Sequence, residues 1–402
     1  MLTAFDDLGD TIARIWEGHN YDEEVFADVA TKALIESRIL ETVDPADIVD
    51  WLVSSQRIPE QKYREFGQPP INLYIGKNFL IEVLFWLDST TAIHQHAFAG
   101  AFGVLAGSSV HSQYQFEQRQ SVSEQLMLGD VNFMSSELLK RGDVRTIHIG
   151  NKFIHALFHL DRPSLSVVVR TKSLSHHKPQ YSYLKPWMAV DPFYKPEPFM
   201  TQIRVLEALK RTDLKLYWQT AQTLVSNGDL WMSYIVLSSA HRKFHESDEW
   251  ESLLRLARWR YGEQVEYLVP CLEEQDREIK IIARRESVHE ADYRFFLALL
   301  LNVPKQSIIY KLILNRFPDT DPESLVLRWI KELSEKKLLG LEFNAISLQL
   351  LQSAMRGAHF DAAKASLIRT FSLSQSVEQD DKLKALWEEI RNAKMLRPLL
   401  QP

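Results

Sequence analysis

The sequence predicts an α+β chain in three stretches: amphipathic helices, then a block of strands, then a long all-helical region. Two observations carry this. Apolar residues recur at three-and-four spacing as far as Leu52 and again from Ile203, and between those points short apolar runs alternate with turn residues. The third stretch is set off by Pro186, Pro192, Pro196 and Pro198, which exclude continuous helix between Tyr181 and Phe199.

Taken in order, Phe5, Leu8, Ile12, Ile15 and Trp16 line one helix, and Val25, Phe26, Val29, Ala33 and Leu34 a second. Asp44-Pro45-Ala46-Asp47 reads as a cap, a first-turn proline and an acidic first turn, with Ile48, Trp51 and Leu52 on the buried side. Past Gly67-Gln68-Pro69-Pro70, Ile71–Ile75 and Phe79–Leu87 have strand composition. The second is apolar on both alternating faces, as a strand covered on both sides would be, and the N-terminal helices are its expected outer cover. Strands continue over Ala101–Ala106, Val110–Phe116, Gln125–Phe133, Val144–Ile149, Ile154–Leu160 and Leu165–Arg170. Turn chemistry separates several of them, at Gly107-Ser108-Ser109, Arg141-Gly142-Asp143, Gly150-Asn151 and Asp161-Arg162-Pro163-Ser164.

Beyond the prolines, helices are marked by Ile203, Leu206 and Leu209, by Leu214, Trp218, Leu224 and Val225, by Leu230, Tyr234 and Leu237, and by Trp250, Leu253, Leu254 and Ala257. Asp321-Pro322 opens another with Leu325, Trp329, Ile330 and Leu333, and Leu348, Leu351 and Met355 mark one more. Trp218, Trp231, Trp250, Trp259 and Trp329 fall on helical spacings and are expected in the core. No fixed-period repeat is present, so the region reads as an irregular helical array. The expected units are residues 1–66, the N-terminal helices; 67–185, the strands; 186–199, an extended connector; and 200–402, the helical region.

Composition is that of an ordinary globular protein, 45% hydrophobic and 25% charged, and a net charge of -6 argues against a general nucleic-acid binder. Even Phe79–Leu87 carries Glu82 and stops at Asp88, so no membrane span is expected. One cysteine, Cys271, excludes an intrachain disulfide, and Met1-Leu2-Thr3-Ala4 lacks the basic start of a signal peptide; a cytoplasmic location is expected. Cys271 follows Pro270 in a helical stretch and reads as a packed small hydrophobe. Phosphate loops, nucleophile elbows, zinc knuckles and dinucleotide fingerprints are missing from the sequence.

The stretch with chemistry in it is His94-Gln95-His96, followed by Gly100 and Gly107. Two histidines one residue apart share a strand face, ~6.6 Å apart along it, so both imidazoles reach one metal ion. Taken alone, such a pair is more often two ordinary barrel histidines bonded to backbone. A second stretch runs from Gly150-Asn151 through His155 to His159. Residues four apart on an extended strand lie ~13 Å apart, so His155 and His159 cannot both ligate one ion unless the strand bulges.

Together these stretches resemble the paired motifs of the cupin superfamily, antiparallel jelly-roll β-barrels that hold a metal between two strands. In the family's first motif the His-x-His is followed after three or four residues by a glutamate and six residues later by a glycine. Here Gly100 stands in the glutamate's place and Gly107 keeps the spacing. His155 matches the last histidine of the second motif, and His159 takes the place of an asparagine often found there. The glutamate-free pattern is most similar to the thiol dioxygenase branch, which binds iron through three histidines; the likeness covers residues 71–185.

That resemblance implies a jelly-roll barrel with His94, His96 and His155 as metal ligands and Fe(II) as the ion, with Zn, Mn or Ni as alternatives. It also implies an oxygenase acting on a small anionic or thiol-containing substrate. Three neutral imidazoles leave the ion's charge uncompensated and half an octahedron open, which favours an anionic or bidentate outside ligand and leaves room for oxygen. The candidate catalytic residues are His159, facing substrate or supporting the ligands; Tyr181, donating to oxygen or substrate; and Arg170, holding an anion. Arg145 and Arg162 are weaker candidates for the last role. His148 and His111 are weaker candidate ligands, and His111, just after a turn, is expected to be exposed. With no cysteine in the barrel, the cysteine–tyrosine cross-link of some thiol dioxygenases cannot form. Two other readings stay open: a redox-neutral isomerase or hydrolase using Zn, Mn or Ni, and a non-enzymatic ligand-sensing barrel whose helical region binds a partner. A homodimer through the helical region is compatible with each, and neither nucleic acid nor membrane is an expected partner.

Overall fold

The computed structural model describes residues 3–61, 66–87, 90–172, 179–371 and 377–400. Helices α1 (Thr3–Gly18), α2 (Glu23–Ser37), α3 (Ile39–Thr42) and α4 (Pro45–Ser54) open the chain, and the Asp22 and Asp44 carboxylates accept backbone N–H groups at the starts of α2 and α4. The strands follow: β1 (Pro70–Ile75), β2 (Phe79–Trp86), β3 (His94–His96), β4 (Gly100–Ala106), β5 (Ser108–Ser123), β6 (Leu126–Lys140), β7 (Val144–Ile147), β8 (Gly150–His159), β9 (Ser164–Thr171), β10 (Ser182–Leu184) and β11 (Met188–Val190). Every pairing among them is antiparallel.

One sheet has the order β1-β2-β9-β4-β7, and the other, β10-β11-β6-β5-β8-β3, closes on itself where Ser182 meets His94. Strand alternation sorts the first sheet into two faces. Ile81 and Val83 of β2, Ala101 and Leu105 of β4, and Val167 and Val169 of β9 pack outward against Phe5, Leu8, Ile12, Trp16, Phe26 and Leu34. Their neighbours Leu84, Trp86, Phe102, Val104 and Val168 point inward with Phe153 and Leu157 of β8. The doubly apolar run in β2 is therefore explained as expected, with the N-terminal helices as its outer cover. Gly107, at φ +78 between β4 and β5, takes a backbone conformation that side chains disfavour.

The second sheet is covered on its outside by the helical region, which runs from α5 (Glu197–Thr212) to α15 (Val377–Arg391) and a closing 3-10 helix, Lys394–Leu400. Leu126, Leu128, Met188 and Val190 share a core with Leu206, Tyr217, Trp231 and Leu268, while Val110, Phe158 and Leu160 share one with Phe295, Phe296 and Trp329. Arg294 is 1% exposed and donates to the carbonyls of His159, Leu160 and Arg285, which ties helix and barrel at one buried point. Asp321 caps Pro322–Glu335 as its sequence signals.

Three differences from the sequence reading have physical causes. Strands β5 and β6 run further than expected: the second half of β5, from Glu117 to Ser123, is a polar ribbon held by cross-strand pairing, including Arg119 to Asp130 at 2.6 Å, and β6 continues past Phe133 because residues 135–140 pair with residues 108–113, neither extension having an apolar alternation to announce it. The three-residue strands β10 and β11 lacked a sequence signal, and β11 falls inside the stretch expected to be connector. Trp259, expected in the core, is 82% exposed: on its helix, Asp248–Tyr261, the buried stripe is Trp250, Leu253, Leu254 and Ala257, and a residue two positions past Ala257 points away from it.

Candidate metal centre

His94 and His96 alternate with Gln95 on β3, and His155 of β8 lies opposite His94 in the strand register. The register shifts between His94 and His96, so that His96 lies opposite Gly150 and both rings reach the His155 side chain. All three are buried, and one ligand nitrogen from each lies within 4.8 Å of the others. Burial lowers the pKa of all three; His94 and Arg170 lower His96 further, and His94 and His96 do the same to His155. The rings are therefore neutral at neutral pH, each with one lone pair to offer.

His94 Nδ1 sits 2.8 Å from the Ala92 carbonyl, to which only a protonated nitrogen can donate, and this leaves Nε2 as the lone pair. That Nε2 is buried and has no protein partner. His96 Nε2 and His155 Nε2 stand 2.9 Å apart. Two nitrogens each ~2.1 Å from one ion at a right angle lie ~3 Å apart, so the pair fits adjacent ligand positions. On this geometry and donor set, the residues fit a divalent metal.

Glycine at position 100 is required by packing. A Cβ there would lie 2.0 Å from the Val169 carbonyl oxygen and 2.9 Å from the Arg170 Cα, so no glutamate can enter the group from that position. Among the described residues the clustered ligands are the three histidines alone.

The group opens onto a cavity of about 290 Å³ between the sheets. Its walls are largely apolar, including Leu84, Trp86, Phe98, Phe102 and Val168, with Phe66 and the 67% exposed Phe193 also on the lining. The polar exceptions beyond the histidines include Glu82, Ser166 and Arg170. Arg170 Nε donates to Glu82 Oε1 at 2.6 Å, and its guanidinium lies 5.1 Å from the Phe98 ring centre. Arg170 thus shares the inward face with Ser166 and Val168, as its parity suggested, and Glu82 balances its charge.

Other sequence candidates lie elsewhere. His159 is not among the residues lining the cavity: it stacks behind Trp86, with rings 4.6 Å apart, and its Nδ1 meets Ser109 Oγ at 2.9 Å. Burial beside Arg285 and Arg294 pushes its pKa down to about 3. The Tyr181 hydroxyl donates to the Glu124 carbonyl at 2.7 Å and is likewise outside the lining. Arg162 bonds His289 and the Arg285 carbonyl, His148 is exposed, and Cys271 is buried, its thiol pushed up to about 12 by burial.

The expectation that His111 is exposed is corrected: it has no exposed surface, since its position on β5 puts the ring inside the barrel beside His155. His111 Nε2 lies 3.1 Å from His155 Nδ1, and its Nδ1 lies 2.9 Å from Glu137 Oε1. The Arg145 guanidinium holds Glu137 from its other side and, with His111 and against burial, lowers its pKa to about 2. Sequence reasoning missed Glu82 and Glu137 as site residues. A charge inside the otherwise apolar run of β2 was a signal for Glu82; Glu137 left none, because only the β5–β6 register sets it opposite His111.

A closed antiparallel barrel holding a buried group of three histidines fits a metal-binding protein of cupin-like build. No protein-family profile matches the chain, and no curated protein matches it. Among the solved chains that match is one from crystal structures of the DMSP lyases RdDddP and RnDddQII, at 15% identity and a TM-score of 0.19, over 28% of this chain and 56% of that one. This chain therefore spans little more than half of that protein, and a likeness so loose says nothing of activity or substrate.

Proposed function

We propose that the protein is a non-haem Fe(II)-dependent oxygenase acting on a small metabolite that chelates the ion held by His94, His96 and His155. The observation that carries this reading is the all-imidazole ligand group, with a carboxylate barred at position 100 by the Val169 backbone. A neutral ligand set leaves both charge and coordination positions for an anionic outside ligand, and iron bound there would supply one-electron chemistry toward dioxygen. The chain's own residues do the rest. The apolar walls exclude water from the chelating end, and the Arg170 guanidinium, fixed at Nε by Glu82, offers its remaining N–H groups to an oxygen at the ligand's far end. Because Glu82 cancels its charge, Arg170 selects by direction more than by net attraction. Thiols and small carboxylates that chelate through two atoms are the substrate class this fits.

The test is elemental analysis of protein purified without oxygen, beside a His155→Ala variant, followed by oxygen uptake with a panel of small thiols and carboxylates. Stoichiometric iron that is lost in the variant, with substrate-dependent oxygen consumption, is expected. Turnover of a panel member without oxygen uptake on a zinc, manganese or nickel protein would replace the reading with a redox-neutral isomerase or hydrolase. Absence of metal from both proteins, even after reconstitution, would leave a ligand-sensing barrel.

A further inference from the structure

We propose that His111 and Glu137 are positioning residues that fix the tautomer and orientation of His155, so that its Nε2 lone pair faces the metal position. The inference rests on the metal-binding reading and follows from counting donors along one chain of contacts. One residue comes from each of four strands: Arg145 on β7, Glu137 on β6, His111 on β5 and His155 on β8.

Glu137 is ionised and can only accept, since Arg145 donates to both of its oxygens. The nitrogen of His111 that faces it at 2.9 Å, Nδ1, therefore carries the proton. A neutral imidazole has one N–H, so His111 Nε2 is a lone pair and accepts across 3.1 Å from His155 Nδ1–H. By the same count, His155 Nε2 is a lone pair. It is this atom that lies 2.9 Å from His96 Nε2 in the ligand group. Each step leaves one assignment, and the last determines which atom the ligand presents.

The register makes the arrangement rigid. His111 and Glu137 are directly opposed across β5–β6, and His155 lies diagonally from His111, whose direct partner on β8 is Leu157. Rings of Phe102 and Phe153 flank His111 at 5.8 and 6.0 Å, which restricts its rotation. His111 cannot itself ligate in this state, because its lone pair is already occupied. The relay also differs from the support given to His94, whose Nδ1–H ends on the Ala92 carbonyl. Of these two ligands, His155 alone is oriented by side chains, and a substitution can therefore reach it.

The test titrates metal-free protein with Co(II) in competition with a chromophoric chelator and reads histidine tautomers from 15N chemical shifts of the metal-free protein. Wild type is expected to bind Co(II) and to show His155 protonated on Nδ1. His111→Phe, which keeps a ring but cannot accept, is expected to stay folded with a lowered melting midpoint, to bind roughly 10- to 100-fold more weakly, and to show His155 as a tautomer mixture. His111→Gln, whose amide oxygen can take the same proton, is expected to recover most of the affinity. Glu137→Gln, whose amide oxygen can still accept from His111 Nδ1–H, should weaken binding less than His111→Phe does. Co(II) binding by wild type with unchanged affinity in His111→Phe would overturn the relay alone, as would His155 protonated on Nε2. Failure of wild type to bind any divalent ion would overturn the metal reading and the relay with it.

Discussion

Replacing Gly100 by alanine adds one methyl group, and the structure says where it must go. The new Cβ would stand 2.0 Å from the Val169 carbonyl oxygen and 2.9 Å from the Arg170 Cα. A carbon and a carbonyl oxygen settle at ~3.3 Å or more, so β4 and β9 would have to part by ~1 Å at a point where Gly100 faces Arg170 in the register. The obstructing atoms are backbone, which cannot rotate aside, and the loss should reach or exceed the upper end of ordinary overpacking, ~3 kcal/mol. That is roughly a hundredfold in the ratio of folded to unfolded protein. Urea denaturation followed by tryptophan fluorescence measures it. Gly150→Ala is the comparison, since Gly150 has φ +68 and nothing within 4 Å of its Cβ position. It should lose only the ~1–2 kcal/mol of a left-handed non-glycine residue. If Gly100→Ala proved as stable as wild type within ~0.5 kcal/mol, the steric account of the missing carboxylate ligand would be refuted.

Other expectations follow from the same contacts. Arg294→Leu removes the donor to three carbonyls at a site 1% exposed, and at ~1–3 kcal/mol for each buried group left unpaired it should be among the most destabilising single changes; an unchanged denaturation midpoint would contradict this. For His159, a folded pKa of about 3 against the ordinary 6.5 means that the folded state resists a proton the unfolded chain accepts. Its stabilising contribution is complete above pH 6.5 and falls away as the pH drops toward 3, so His159→Phe should show a shallower loss of stability between pH 6.5 and 5 than wild type, and parallel slopes would count against the assignment. Arg170→Gln should keep its metal content while binding a chelating carboxylate ~10- to 100-fold more weakly by calorimetry, and equal affinity would remove Arg170 from ligand recognition.

The succession of helices, strands and helices was legible because each period needs a particular surface, and the run Phe79 to Trp86 announced a strand covered on both sides. His94 and His96 were legible as a pair because His-x-His on a strand has a fixed geometry, and His155 only because the stretch from Gly150 to His159 resembles a known second motif. What stayed hidden depended on register: Glu137 meets His111 only because β5 and β6 pair residue against residue, and β10 and β11 are too short for any pattern. His159 shares parity with His155 in the sequence, yet the Trp86 ring lies against it and decides its surroundings. Trp259 keeps helical spacing yet lies off the stripe that Trp250, Leu253, Leu254 and Ala257 occupy, so spacing alone misplaces it.

The cores shared between barrel and helices bear on how the chain emerges from a ribosome. Val110, Phe158 and Leu160 are made well before Phe295, Phe296 and Trp329, and about 140 residues separate Phe158 from the helix that covers it. At ~5–20 residues per second, that strand face spends roughly 7–28 s without its cover during synthesis. The first sheet has no such wait, since its helices precede it. The nascent chain thus has one protected flank and one adhesive flank, and the second is where a chaperone would engage or where neighbouring copies would stick if translation stalled between Thr171 and Ala291.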